Sequence, residues 1–300
     1  MKKTAFVFAG QGAQTVGMGQ DLYDAFSSVK ELYDMSAAIR DMCFHGPKEQ
    51  LDITANTQPA VFLTDLACAT ALSEKGIKAD GVAGFSLGEI AAACYAGLMR
   101  ESQAFDFVCH RAKAMHNSAQ QNKGSMFAVL KLSDEKVEEI CNSLSQAYPV
   151  NYNSPGQVVV ACAENTEEKL QEAVTENNGR ALKLAVSGAF HSPFMDAASD
   201  SVAEYLEKET LGSVEIPLYA NTTAQIYENA KELLAKQINH PVLWQKTIEN
   251  MIDDGFDTFI EVGPGKTLSG LIKKINPDVT VHNVSDLQTL EKTVNEVTAL

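Results

Sequence analysis

No stretch of this 300-residue chain approaches the ~18 uninterrupted apolar residues of a membrane-spanning helix, so a membrane-embedded protein is not expected. Cysteine pairs are also missing. The six cysteines (Cys43, Cys68, Cys94, Cys109, Cys141, Cys162) form no Cys-x-x-Cys and sit where small core residues fit, so neither disulfides nor a cysteine metal site is expected. Positive charge is scarce: 24 Lys and Arg against 39 Asp and Glu give a net charge of −15. Nucleic acid and anionic membranes need a basic surface to displace counterions, so neither is an expected partner. An acidic protein docked on a local basic patch stays open, with Lys266, Lys273 and Lys274, or Arg180 and Lys183, as candidate patches. The glycine turns Gly10-Gln11-Gly12 and Gly263-Pro264-Gly265-Lys266 lack the dinucleotide fingerprint and the Gly-Lys-Ser/Thr ending, which argues against nucleotide binding.

A hydrophobic content of 45% is enough for a substantial core of about two domains, or one large domain with an insertion. Met1-Lys2-Lys3-Thr4 imitates the start of a secretory leader, but the apolar run Ala5 to Ala9 is too short for one and reads as a first buried strand. A cytoplasmic protein is the expectation. Apolar runs alternate with helical patterns over Leu22 to Ile39, Pro59 to Lys75, Val82-Ala83 and Glu89 to Ala96, which predicts a parallel sheet covered by helices. From residue 124 the texture changes. Strands over Met126 to Leu130, Gln157 to Ala163 and Ala181 to Val186, with helices over Glu135 to Ser145 and Glu167 to Thr175, predict a small ferredoxin-like α+β insertion at 124–187. The large α/β-hydrolase-like domain, with its parallel sheet core, would then comprise 1–123 and 188–300. It resumes after Pro217 with a strand over Phe256 to Val262 and a helix over Leu268 to Ile275.

Gly84-Phe85-Ser86-Leu87-Gly88 is a Gly-x-Ser-x-Gly pattern lying between the apolar Gly81-Val82-Ala83 and the Ala-rich Ile90 to Cys94. A strand that turns through glycines into a helix holds a serine hydroxyl outward at the helix N-terminus, so Ser86 is the candidate nucleophile. A serine nucleophile needs a base. Of six histidines, His191 stands out because Ser187-Gly188-Ala189-Phe190-His191-Ser192-Pro193 has the small residues and proline of a loop just past a strand.

These segments occur in order with Gly10 to Gln14, His110 to Met115, Val150 to Gln157 and Glu261 to Lys266. The series closely resembles the malonyl-CoA:acyl carrier protein transacylase family and the related acyltransferase domains of polyketide synthases. The resemblance implies that Ser86 takes a malonyl group from malonyl-CoA and passes it to the phosphopantetheine thiol of acyl carrier protein, with His191 as base. It also implies that the backbone carbonyl of Gln237 orients His191, and that the N–H groups of Gln11 and Leu87 form the oxyanion hole. Arg111 would clamp the malonyl carboxylate with its bidentate fork, and Met115 and Phe190 would contact the substrate. Phe190 would leave little room for a methyl on the α-carbon. Family members commonly carry histidine where this chain has Phe85, which adds apolar bulk beside the nucleophile. No metal and no tightly bound cofactor are implied, and a monomer is the expected state. The competing readings are an α/β-hydrolase esterase or thioesterase, which would look to His240 or His282 for its base and gives Arg111 no task, and a trans-acting polyketide acyltransferase.

Overall fold

The computed structural model describes residues 3–298; Met1 and Lys2 of the leader-like start lie outside the described residues. Strand β1 (Lys3–Phe8) runs into the glycine turn at residue 10, and three short helices follow: α1 (Gln20–Ala25), α2 (Ser27–Asp34) and α3 (Ala37–His45). The sequence predicts one helix there. Phe26 is extended at φ −126°, and Ser36 leaves the helix at φ −150° to accept the Ile39 N–H on its hydroxyl, so the chain bends twice.

After α4 (Lys48–Leu51), helix α5 (Thr54–Glu74) begins well before the expected start at Pro59. Pro59 lies inside it, where a missing N–H removes one helical hydrogen bond, while buried Thr54, Thr57 and Gln58 lengthen the helix N-terminally. An α5 that is apolar on nearly every face is a central helix. Next come β2 (Gly81–Gly84), α6 (Gly88–Tyr95) and α7 (Glu101–Gln121).

The second region comprises β3 (Gly124–Leu130), α8 (Asp134–Ser143), β4 (Ala147–Ser154), β5 (Gln157–Ala163), α9 (Glu167–Glu176) and β6 (Arg180–Lys183). Its strands form an antiparallel sheet in the order β4-β5-β3-β6. Strand β4 escapes the sequence reading because Tyr-Pro-Val-Asn-Tyr-Asn lacks a clean alternation. It is an edge strand, where Pro149 is tolerated beside a register shift. The last strand ends at Lys183 rather than Val186.

Thereafter α10 (Asp196–Glu207), β7 (Leu218–Tyr219), α11 (Ala230–Lys236), α12 (Trp244–Asp253), β8 (Phe256–Val262), α13 (Thr267–Ile275), β9 (Thr280–Val284) and α14 (Leu287–Thr298) complete the described residues. Strands β7-β2-β1-β8-β9 pair in that order, all parallel. The carboxyl ends of β1, β2 and β8 thus lie side by side, the edge at which open parallel sheets carry their ligands. No described helix is long and apolar enough to cross a membrane.

Candidate active site

The site begins where β2 turns into α6. Ser86 sits at φ 55°, a left-handed backbone that an ordinary residue adopts only when its surroundings impose it. A Cβ on Gly84 would stand 2.0 Å from the Gly88 carbonyl carbon, and one on Gly88 would stand 2.2 Å from the Phe8 carbonyl oxygen. Only glycine fits at either position. Asn221, just after β7, fastens the turn: its Oδ1 accepts the Ser86 N–H at 2.7 Å and its Nδ2 donates to the Gly84 carbonyl at 2.6 Å.

His191 is likewise left-handed, at φ 59°, and its N–H donates to the Ile238 carbonyl at 3.1 Å. The ring spans two partners. Nδ1 lies 2.7 Å from the Gln237 carbonyl, and Nε2 lies 2.7 Å from the Ser86 Oγ. A carbonyl can only accept, so Nδ1 carries the proton of the neutral ring and Nε2 is free to accept from the serine hydroxyl. Burial and then the nearby Arg111 charge lower the His191 pKa to about 4, against a rise contributed by the Gln237 carbonyl. The imidazole is therefore neutral at physiological pH.

Arg111 on α7 is fully buried. Its Nη1 donates to Gln58 Oε1 and its Nη2 to Gln237 Oε1, each at 2.7 Å, and Nη2 is also 3.5 Å from the Ser86 Oγ. The Gln237 side chain continues the network, donating from Nε2 to the Ser86 carbonyl at 2.5 Å and to Glu89 Oε2 at 2.6 Å. Glu89 Oε1 accepts the Asn221 N–H at 3.1 Å and the Tyr227 hydroxyl at 2.5 Å. Burial raises the Glu89 pKa to about 7, opposed by these donors and by Arg111; burial also lowers Arg111 to about 10, opposed by the Glu89 charge.

A cleft of about 450 Å³ opens over Ser86 and His191, with Gln11, Phe85, Met115 and Phe190 in its wall. Arg111 lies beneath this cleft, fully buried, with Nη2 beside the serine hydroxyl. Among the described residues, neither the Gln11 nor the Leu87 backbone N–H donates to a protein acceptor. The Phe85 ring packs edge-on against Trp244, with centroids 5.4 Å apart. The other histidines lie elsewhere: His240 is exposed and bonds Lys236 and Asn239, and His282 pairs with Glu296. No group of three or more potential metal ligands occurs among the described residues.

The sequence reading therefore brings Ser86, His191, Gln237, Arg111, Gln11, Leu87, Met115 and Phe190 to one place, and it misses Gln58, Glu89, Asn221 and Tyr227 as partners. One of these carried a signal: a glutamate within an Ala-rich helix is a buried polar group that needs partners. Gln58, between Thr57 and Pro59, carried none. Asn221 and Tyr227 lie in an irregular segment with no distinguishing pattern.

The chemistry on offer is a serine hydroxyl bonded to a neutral imidazole beside a buried guanidinium. Comparison with known proteins points the same way. The family described as an acyl transferase domain matches residues 5–292. A Bacillus subtilis protein named malonyl CoA-acyl carrier protein transacylase is 34% identical, over 97% of this chain and 96% of its own length. The crystal structure of a Clostridium perfringens protein of the same name superposes with a TM-score of 0.95 at 39% identity, covering 99% of this chain and 98% of that one. A structure described as a type II PKS acyl-carrier protein in complex with its malonyl-transacylase matches with a TM-score of 0.94 at 33% identity, covering 98% of this chain and 100% of that one.

Proposed function

Because the chain belongs to the acyl transferase family, among the malonyl CoA-acyl carrier protein transacylases, we propose that it moves a malonyl group from malonyl-CoA to the phosphopantetheine thiol of an acyl carrier protein. Ser86 is the nucleophile. The 2.7 Å bond from its hydroxyl to the neutral Nε2 of His191 is the observation that carries the reading. His191 takes the serine proton as Oγ attacks the thioester carbonyl, the Gln11 and Leu87 N–H groups receive the oxyanion, and the protonated imidazole returns its proton to the departing CoA sulfur. The carrier's thiol then attacks the malonyl-serine ester by the same steps reversed. The Gln237 carbonyl serves as a neutral orienter for His191 throughout.

Arg111 distinguishes this reading from an esterase or thioesterase, for which it would be a superfluous buried charge. Two of its five donors are held by glutamine oxygens, which leaves others to pair with the malonyl carboxylate beside the nucleophile. Met115 and Phe190 bound the acyl group, and Phe190 next to the base limits branching at its α-carbon. Residues 124–187 act as a ferredoxin-like insertion closing one side of the cleft, and 1–123 with 188–300 form the α/β-hydrolase-like catalytic domain. No tightly bound cofactor takes part. The enzyme works as a cytoplasmic monomer, its free thiols suiting a reducing compartment.

The test is acyl discrimination. Arg111→Ala should lose malonyl transfer by about 10²-fold or more while keeping acetyl transfer, because removing a charged partner from a desolvated site costs about 2–5 kcal/mol. Equal loss of both in a variant that melts like wild type contradicts the carboxylate clamp.

A further inference from the structure

We propose that Glu89 is a positioning residue that aims Arg111 at the acyl carboxylate through the Gln237 side chain. The assignment rests on Arg111 being the carboxylate clamp.

The argument is one of hydrogen-bond polarity. Arg111 is a pure donor, so the oxygen of the Gln237 amide must face it, as it does at 2.7 Å. The amide nitrogen must then find acceptors, and it has two, the Ser86 carbonyl and Glu89 Oε2. Reversing the amide would turn its NH₂ onto the guanidinium and its oxygen onto the Ser86 carbonyl. Glu89 must in turn accept on both oxygens, because the Asn221 backbone N–H at its other end is also a pure donor. A neutral glutamine at 89 fails in either orientation: its own NH₂ meets that of Gln237 or the N–H of Asn221. Burial opposes ionisation of Glu89, while the Tyr227, Asn221 and Gln237 donors and the Arg111 charge favour it. In its ionised form the carboxylate at 89 accepts only and fixes the direction of the whole chain, from Glu89 through Gln237 to the guanidinium beside the nucleophile. The same residue's backbone carbonyl holds His191 Nδ1, so Gln237 links the clamp to the base.

Glu89 is 1% exposed and touches none of the reacting atoms, which is why its effect should appear as lost discrimination. The experiment measures Ser86 acylation rates with malonyl-CoA and acetyl-CoA in full-length Glu89→Gln, Gln237→Met and the double variant. Gln237→Met keeps the backbone carbonyl on His191 and removes the side-chain amide, with its bonds to Arg111, Glu89 and the Ser86 carbonyl; loss of the last acts on both acyl donors alike and leaves the ratio to report the bridge. Each single variant should lower the malonyl-to-acetyl rate ratio by about tenfold or more, the size of one lost hydrogen bond to a charged group. The double variant should be no worse than Gln237→Met alone, since Glu89 acts through that side chain. A purely structural Glu89 would instead slow both donors together, and a ratio unchanged in either single variant, or losses that multiply in the double, overturn the assignment. Arg111→Ala separates the two levels. If it collapses the ratio while Glu89→Gln and Gln237→Met preserve it, the clamp stands and Glu89 has no part in it; if it preserves the ratio, the clamp itself fails.

Discussion

Ser86 and His191 both hold left-handed backbone angles, φ 55° and 59°, and both do so against the preference of their side chains. Such strain persists where neighbours over-determine it, and here Asn221, Gln237 and Ile238 supply the hydrogen bonds that do so. In the proposed mechanism the ring must be neutral to accept a proton, and burial together with Arg111 lowers its pKa to about 4. Attack by Ser86 on an uncharged sulfonyl fluoride should therefore stay level through neutral pH and fall only as pH drops toward about 4, where Nε2 becomes protonated. An acid limb near ~6.5, the ordinary histidine value, would show that the imidazole is not held neutral. His191→Ala should slow acylation by roughly 10²–10⁴-fold at neutral pH, a deficit that shrinks as the wild-type ring becomes protonated in acid. At this scale the sequence was legible where a motif surrounds the residue, as for Ser86 and His191. Gln58 and Asn221 were not, because what makes each matter is a partner 53 or 135 positions away, reached only by folding.

Among the elements, the strand-turn-helix at 81–95 was readable because its chemistry is local: two glycines allow backbones to meet where a side chain cannot stand. Gly88→Ala places a methyl 2.2 Å from the Phe8 carbonyl oxygen, so β1 and α6 must separate. Overpacking of that kind costs about 1–3 kcal/mol and sometimes more, and thermal melting should show a loss at the upper end of that range together with lost acylation. A Gly88→Ala protein that melts and reacts like wild type would mean the elbow tolerates slack. The elements misread were those ruled by tertiary context. Helix α5 extends past Pro59 because the core buries its first turn, the stretch read as one helix at 22–39 breaks at Phe26 and Ser36, and β4 exists because β5 offers it an edge.

Across the whole molecule, the parallel order β7-β2-β1-β8-β9 puts the Gln11 turn, the Ser86 turn and the Gly263 turn at neighbouring strand ends, although 252 residues separate the first from the last. The alternation of apolar runs foretold a parallel sheet; the order of its strands was not legible. Close packing at this edge has a cost on α5. Asp65 is fully buried with both carboxylate oxygens unpartnered, and burial plus the nearby Glu261 charge raise its pKa well above the ordinary carboxyl value. A raised carboxyl contributes stability that is present in acid and lost as pH rises above the unfolded value of ~3.9. Asp65→Asn has no such proton to lose, so it should melt higher than wild type at about pH 8, with the gain shrinking toward about pH 4. A gain equal at both would assign the effect to packing. The central claim, a malonyl group carried on Ser86, is tested by offering malonyl-CoA alone to the purified protein and weighing it intact. One malonyl adduct that maps to Ser86, vanishes in Ser86→Ala and is discharged by holo acyl carrier protein is the predicted result; an adduct that survives Ser86→Ala, or transfer to the carrier with no acyl-enzyme ever formed, would contradict it.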